Sequence, residues 1–385
     1  MRAEDFSDRS PGRLVPTIGG VVAFVPDPIP KSVDLPPQSI LLLARAENAI
    51  GRLVGTTARL VNPFLIGSPL LHKEAILSSR IEGTVTTPEQ LVMLEAGSKP
   101  IVAGASPDSE TREVLNYIEA MRHGLSRLGE LPMCLRLIRE IHRVLLEGVR
   151  GDRDLPGKFR KSQNWIGRRG DPIERARFVP PPPPEMEKGL DDLEKYLNSS
   201  VSTDTPLLVQ LALVHYQFEA IHPFRDGNGR IGRLLIPLSL CSHGRIGSPL
   251  LYLSGFFEHH RDEYMDLLLV VSQKGDWLGW VNFFLRAVHQ SAEDAIRQVE
   301  GLLSLRDNYH QRFQRARSSA LLQKLIDELF QSPSITIGRA AALLKVTPAA
   351  AAYNIRKLEA AEILREATGR KRDQVFVAHE IVAFM

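Results

Sequence analysis

The chain has 385 residues, enough for two or three domains, and its 43% hydrophobic and 24% charged residues allow a core of ordinary size without staples. A net charge of +3 makes no demand for a nucleic-acid partner. Two cysteines, Cys134 and Cys241, exclude a disulfide framework and a four-cysteine zinc site and point to reduced thiols in a cytoplasmic setting.

The opening MRAEDFSDRSPGR is polar and mixed in charge, without the apolar stretch of a secretion signal. No run approaches the ~18 apolar residues of a membrane span, so no membrane partner is expected. Residues 1–36, rich in Pro and Gly, read as an irregular arm with little helix. From Ser39 helical spacing dominates. Leu42, Ala46, Ala49 and Leu53 share one face, and so do Leu71, Ala75, Ser78 and Glu82, which predicts a helix over 69–82 stopped by Gly83. Residues 97–109 read as a loop, and two helices follow over 110–150, broken at Gly129–Pro132.

Residues 151–184 are dense in Gly, Pro and Arg and end in five prolines, which exclude helix and central strand. Their stretch 161–180, KSQNWIGRRGDPIERARFVP, reads as a hairpin around a polar turn. Helix returns at 185–198. Leu207, Leu211, Val214, Phe218 and Ile221 then mark a strongly apolar helix over 206–221, and another begins near Arg230 with Pro237 inside it. Helix covers 256–300. Residues 318–385 form a separate unit: helix, helix, turn, helix, then the strand-like DQVFVA, with GRKR at 369–372 before it.

The segment from His222 to Arg233, HPFRDGNGRIGR, joins the end of one expected helix to the start of the next. Gly227, Asn228 and Gly229 permit angles in which successive N–H groups face one concavity, a nest for anions. The following helix adds unpaired N–H groups and a positive dipole end. Arg230 and Arg233, three apart, place two guanidiniums beside that anion. Asp226 offers a hard oxygen to Mg²⁺ already bound to phosphates, and His222 can exchange a proton near neutral pH. Singly, each has an ordinary structural explanation: a turn, a helix cap, a solvated arginine pair. Their order within twelve residues is what points to phosphate chemistry.

That segment resembles the signature of Fic-domain proteins, His-x-Phe-x-Asp-Gly-Asn-Gly-Arg-x-x-Arg, at every position. The resemblance extends over about 40–290, and it implies a mainly α fold: a Fic-type helical bundle with a small β-hairpin flap, plus a C-terminal winged helix-turn-helix domain. The implied domains are an N-terminal region (1–110), a catalytic core (111–300) and the winged unit (318–385). It also implies a protein adenylyltransferase that moves AMP from ATP to a Ser, Thr or Tyr hydroxyl of a target protein and of itself. His222 would be the base and Asp226 the Mg²⁺ ligand. Gly227, Asn228 and Gly229 would hold the α-phosphate, and Arg230, Ile231, Gly232 and Arg233 would line the phosphate site. Phe224 would anchor the loop in the core. Fic-like kinases carry Lys where Gly229 stands, so AMP transfer is preferred here.

Ser78, Glu82 and Gly83 resemble the family's inhibitory helix, whose glutamate pairs with the second motif arginine, here Arg233. The flap resemblance at 161–180 implies main-chain docking of a target segment. Tyr264 corresponds to a residue of the adenine pocket, although Met265 stands where a second tyrosine is common. Two other functions stay open: removal of AMP with Glu82 positioning water, and a DNA-binding regulator whose Fic region only senses nucleotide; DNA or protein partners of 318–385 and a homodimer stay open as well. The last unit holds nine Lys/Arg against seven Asp/Glu, a weak electrostatic footprint for DNA.

Overall fold

The computed structural model describes residues 1–57, 63–97, 109–149, 155–168, 170–198, 205–314 and 319–385. Most of the expected loop at 97–109 therefore lies outside the described residues. The fold is mainly helical. Its centre is α7 (Leu207–Ile221) and α8 (Asn228–Ser242), whose side chains are buried almost all round, the pattern of helices inside a core rather than on its surface. Around them lie α1 (Pro37–Thr57), α2 (Pro63–Ile81), α4 (Ser109–Arg127), α5 (Leu135–Leu145), α6 (Pro183–Asn198), α9 (Ser254–His259), α10 (Arg261–Lys274) and the long α11 (Trp277–Phe313). Trp280 of α11 is fully buried and donates its indole N–H to Ala212 O at 2.8 Å, tying α11 to the helix that ends at His222.

Several expectations change. The arm at 1–36 contains an antiparallel pair, β1 (Gly12–Pro16) and β2 (Val22–Pro26), in register from Gly12↔Pro26 to Pro16↔Val22. Phe24 of β2 is buried against Phe6 and Phe178, and its backbone N–H donates to Val179 O at 2.9 Å. Gly12, Pro16 and Pro26 stand at the ends of the strands, where Pro interrupts no ladder, and Gly19 and Gly20 take left-handed angles in the turn between them. Helix α2 begins at Pro63 and runs through Pro69, earlier than the spacing predicts. The expected hairpin at 161–180 reduces, among the described residues, to a single bridge, Ile166↔Phe178, and a short 3₁₀ turn at Ile173–Arg175. Side chains do the rest: Gln163 donates across the segment to Pro180 O at 2.7 Å, and Asn164 ties it to the loop after His222 by donating to Phe224 O at 2.9 Å. The five prolines do not exclude helix throughout, because Pro183 and Pro184 form the first turn of α6, where a missing N–H costs nothing. The helical stretch at 256–300 is three helices, with Gly275 in the left-handed region (φ +67) between α10 and α11.

The C-terminal unit comprises α12 (Ser319–Gln331), β3 (Ser334–Thr336), α13 (Ile337–Leu344), α14 (Pro348–Ala360), β4 (Arg365–Glu366), β5 (Val375–Val377) and α15 (His379–Val382), with strand order β3-β5-β4. Residues 369–372 lie between β4 and β5. The buried side chains of α12 continue the main core, and α12 packs on α2. Ser334 Oγ donates to Val92 O of α3 (Pro88–Glu95) at 2.9 Å. Among the described residues no helix is long and apolar enough to cross a membrane.

Because Trp280 fixes α7 by both packing and a buried hydrogen bond, Trp280→Ala should lower unfolding free energy by ~3–5 kcal/mol, read from urea denaturation.

Candidate active site

Helix α7 ends at His222, which takes left-handed angles (φ +50, ψ 61) while its N–H closes the last helical turn on Phe218 O at 3.0 Å. A non-glycine residue in that region costs roughly 1–2 kcal/mol, so something must hold it. Arg160 does. Its Nε donates to His222 O at 2.9 Å, Nη2 donates to Ile221 O and Pro181 O, and Nη1 donates to Ser162 O at 3.3 Å. Its backbone N–H donates to Pro223 O at 2.9 Å. The guanidinium is 2% exposed and spends its donors on backbone carbonyls. His222 Nδ1 lies 3.3 Å from Glu219 O, a carbonyl that can only accept, so the proton sits on Nδ1 and Nε2 is left as the basic nitrogen. Burial, and then the charge of Arg160, push His222 down to about 4. At neutral pH the imidazole is uncharged, the form a general base needs.

The loop after His222 is fixed from below. Phe224 is fully buried and stacks on His142 of α5, with centroids 3.7 Å apart and planes within 8°. His142 Nδ1 accepts from Gly157 N at 2.9 Å, so its Nε2 carries the proton and donates to Asp226 O at 3.0 Å. Asn228 spans the loop with both ends of its amide. Oδ1 accepts from Phe224 N at 2.8 Å, and Nδ2 donates to Phe224 O at 2.9 Å. The Asn228 side chain is thus committed to the loop, leaving its backbone N–H toward an anion.

The anion site differs in detail from the expected nest. Gly227 alone is left-handed (φ +79), while Asn228 and Gly229 already belong to α8. The first intrahelical acceptor is Gly227 O, taken by Ile231 N at 3.0 Å, so the N–H groups before it have no carbonyl of their own helix to bond. Arg230 is 2% exposed and lies 3.4 Å from Glu113 and 3.5 Å from Asp226. Ile231 is buried in the core, and Gly232 faces Glu219 and His215, so neither brings a side chain to an anion.

Arg233, also 2% exposed, is held from the other side of the molecule. Its Nε donates to Ser78 Oγ at 2.8 Å, and its Nη2 donates to Ser78 O at 3.0 Å and Glu82 Oε1 at 2.8 Å. Burial works against the charges of this pair, and the mutual attraction outweighs it: Glu82 sits below the usual carboxylate range and Arg233 stays firmly cationic. Gly83 closes the turn with φ +86, open to glycine. A methyl group on Gly229 would clash with Glu82 Oε1, so the carboxylate lies directly against the first turn of α8. Ser78 and Glu82 therefore meet the motif from a separation of about 150 residues.

A cavity between these groups is lined by Glu82, His222, Gly229 and Arg233 at its polar end and by Ile166, Phe178 and Leu268 at its apolar end. Tyr264 borders it, but its ring stacks on Phe257 at 4.5 Å and its hydroxyl bonds His215 Nε2 at 2.8 Å, which makes it largely a core residue. Sequence reading missed Arg160, His142 and Glu219. Burial raises the Glu219 carboxyl to about 8, with Arg233 opposing and Glu82 adding to the shift. Two acids thus flank one arginine, Glu82 ionised and Glu219 neutral, the divergence that marks functional sites. Among the described residues no three His, Cys, Asp or Glu side chains converge as a metal cage. Asp226, with Oδ1 accepting from Gly227 N at 2.6 Å, leaves Oδ2 for a cation, which fits Mg²⁺ held mostly by phosphates and water.

Residues 40–126 match the Fic/DOC family N-terminal model, and residues 132–240 match the Fic/DOC family model. The chain carries a Fic/DOC domain. The protein adenylyltransferase Fic of Drosophila grimshawi is 33% identical over 205 residues, 53% of this chain and 38% of the relative. The Drosophila melanogaster protein of the same name is 28% identical over 264 residues, 66% and 49% respectively. The chain thus spans about half or less of these relatives. In fold, the Fic/DOC domain and its surroundings are similar to a Fic family protein from Desulfovibrio desulfuricans, with a TM-score of 0.56, 21% identity, and coverage of 90% of this chain and 97% of the other. Residues 134–508 of Fic-1 from C. elegans give 0.51 and 23%, covering 70% and 75%.

The arrangement around His222 sets a signed expectation. In the free protein its imidazole should titrate near 4 by NMR rather than near 6.5. Arg160→Gln removes the opposing cation and should move that titration upward.

Proposed function

We propose that the chain is a protein adenylyltransferase that moves AMP from ATP to a hydroxyl side chain of a target protein and of itself. The observation that carries the reading is the pairing of an uncharged His222 with a helix start a few residues on, whose Asn228 and Gly229 N–H groups have no carbonyl of their own helix to bond. A target hydroxyl gives its proton to His222 Nε2 as its oxygen attacks the α-phosphorus. The α–β bridging bond breaks, pyrophosphate leaves, and AMP remains esterified to the side chain. Backbone N–H groups of Asn228 and Gly229 meet the charge that develops on the α-phosphate, while Arg230 and Arg233 serve the β- and γ-phosphates. Mg²⁺, held through Asp226, would neutralise charge on the leaving pyrophosphate. The names of the relatives support the adenylyl chemistry.

The reading includes inhibition within the chain. An arriving γ-phosphate needs a bidentate guanidinium, and Glu82 already occupies Arg233. The carboxylate also lies against Gly229 and repels the phosphates it would face. The order of elements in the C-terminal unit, α12-β3-α13-α14-β4-β5, supports a winged helix-turn-helix as its fold type.

With α-labelled ATP and Mg²⁺, His222→Ala should cut labelling of protein by ~10²–10⁴-fold while nucleotide binding persists. Undiminished labelling would refute the base. Glu82→Gly should raise self-labelling, by as much as ~10²-fold if misplacement of the α-phosphate is what inhibits. Adding Arg233→Ala should erase that gain. If Glu82→Gly instead abolishes release of AMP from modified protein, Glu82 positions water and the chain removes AMP.

A further inference from the structure

The stretch 161–180 holds five Lys/Arg against two Asp/Glu, and the rest of the chain holds 43 of each, so the whole net charge of +3 belongs to these twenty residues. The structure sets them along one rim of the active site. Lys161 follows Arg160, whose N–H is bonded to Pro223 O of the catalytic loop. Asn164 donates to Phe224 O at 2.9 Å. Beyond it, Ile166 pairs with Phe178, and Gly167 lies against the backbone at 175–177, which makes Arg168 and Arg175 neighbours. Lys161, Arg168 and Arg175 are exposed, and among the described residues none has a carboxylate partner. Arg177 is different, being paired with Asp266 and bordering the cavity. In sequence between Lys161 and Arg168 comes Trp165, 39% exposed, its indole N–H donated to Asp171 O at 2.9 Å. Glu174 is the exposed carboxylate of the stretch, and Asp171 is half-buried.

An unpaired surface cation is commonplace. Three of them on one twenty-residue segment of net charge +3 that also exposes an indole, beside the base, form a patch complementary to acidic peptide. We propose that this rim selects targets whose modified hydroxyl is flanked by Asp or Glu, the chain running over Trp165 with its carboxylates toward Lys161, Arg168 and Arg175. The inference rests on the adenylyltransferase reading for the reason a hydroxyl comes here, and it adds the chemical class of the partner. Exposed ion pairs are individually weak and screened by salt, so the selectivity comes from several acting together and falls as salt rises. The competing use of the same cations is to draw ATP, a polyanion, toward the cavity.

The test is fluorescence anisotropy with the full chain and α,β-methylene-ATP, which binds without transfer. Labelled peptides carry one Thr flanked by Asp and Glu, or by Asn and Gln in a control of equal length. The acidic peptide should bind about tenfold tighter at low salt, with the ratio collapsing toward unity at high salt. The triple variant Lys161→Glu, Arg168→Glu, Arg175→Glu should lose the preference while nucleotide affinity is unchanged. The neutral set Lys161→Gln, Arg168→Gln, Arg175→Gln serves if reversal disturbs folding, as checked by circular dichroism. Equal binding of the two peptides overturns the proposal. So does a preference that survives both variants, or a loss confined to nucleotide affinity, which assigns the cations to ATP. Because binding is read without chemistry, failure of adenylyl transfer would leave the peptide result standing on its own.

Discussion

Burying a guanidinium removes it from water, and the fold must then supply acceptors at fixed positions. Arg233 imposes this constraint on the whole active site. Ser78 offers both its hydroxyl and its carbonyl, and Glu82 offers a carboxylate. All three come from the C-terminal end of α2 and the turn after it, so α2 must approach α8 closely. Glu74, one turn earlier on α2, is itself buried and accepts from Tyr117 and Ser254, which fastens the helix to α4 and α9. The inhibitory contact is therefore built on core, and the part of it left free to move is the half-exposed Glu82 side chain beyond the last helical turn.

Behind His222 the same residue type is used differently. Arg160 has carbonyls for partners where Arg233 has a carboxylate, so its positive charge is not neutralised locally and acts on His222 instead. Burial, with one arginine adding to it, keeps a base unprotonated, and the other arginine keeps an acid ionised against its burial. Between them Glu219 retains its proton, which spares the cavity a second negative charge.

How much of this was legible in the sequence follows from distance along the chain. The residues from His222 to Arg233 are contiguous, so glycine freedom, helix ends and arginine spacing could be read together. Helix α7 announced itself by apolar spacing and ends where that spacing stops. Glu82 and Arg233 are far apart in sequence, and only a family resemblance suggested that they meet. Arg160, His142 and Glu219 carried no local signature, because each acts through backbone or burial supplied by another segment. The hairpin read at 161–180 is an antiparallel pairing of one residue pair only, for a related reason. Alternation of residue type cannot reveal that only Ile166 and Phe178 will pair, while Gln163 and Asn164 turn to the carbonyls of Pro180 and Phe224. At β1 and β2 the error ran the other way, with glycine and proline at strand ends taken as marks of irregularity.

Asn228 and Gly229 form the dipeptide most prone to spontaneous ageing in proteins, since the nitrogen after an unconstrained asparagine can attack its side-chain amide and expel ammonia. Here the amide is gripped at both ends by Phe224, and the backbone of the following residue is set by the first turn of α8. The clamp that shapes the loop also holds the two reacting atoms out of line. Chemical longevity of the motif is thus a property of the folded loop. Any episode of local opening there would expose the dipeptide to a slow, irreversible conversion to aspartate or isoaspartate, which could no longer donate to Phe224 O.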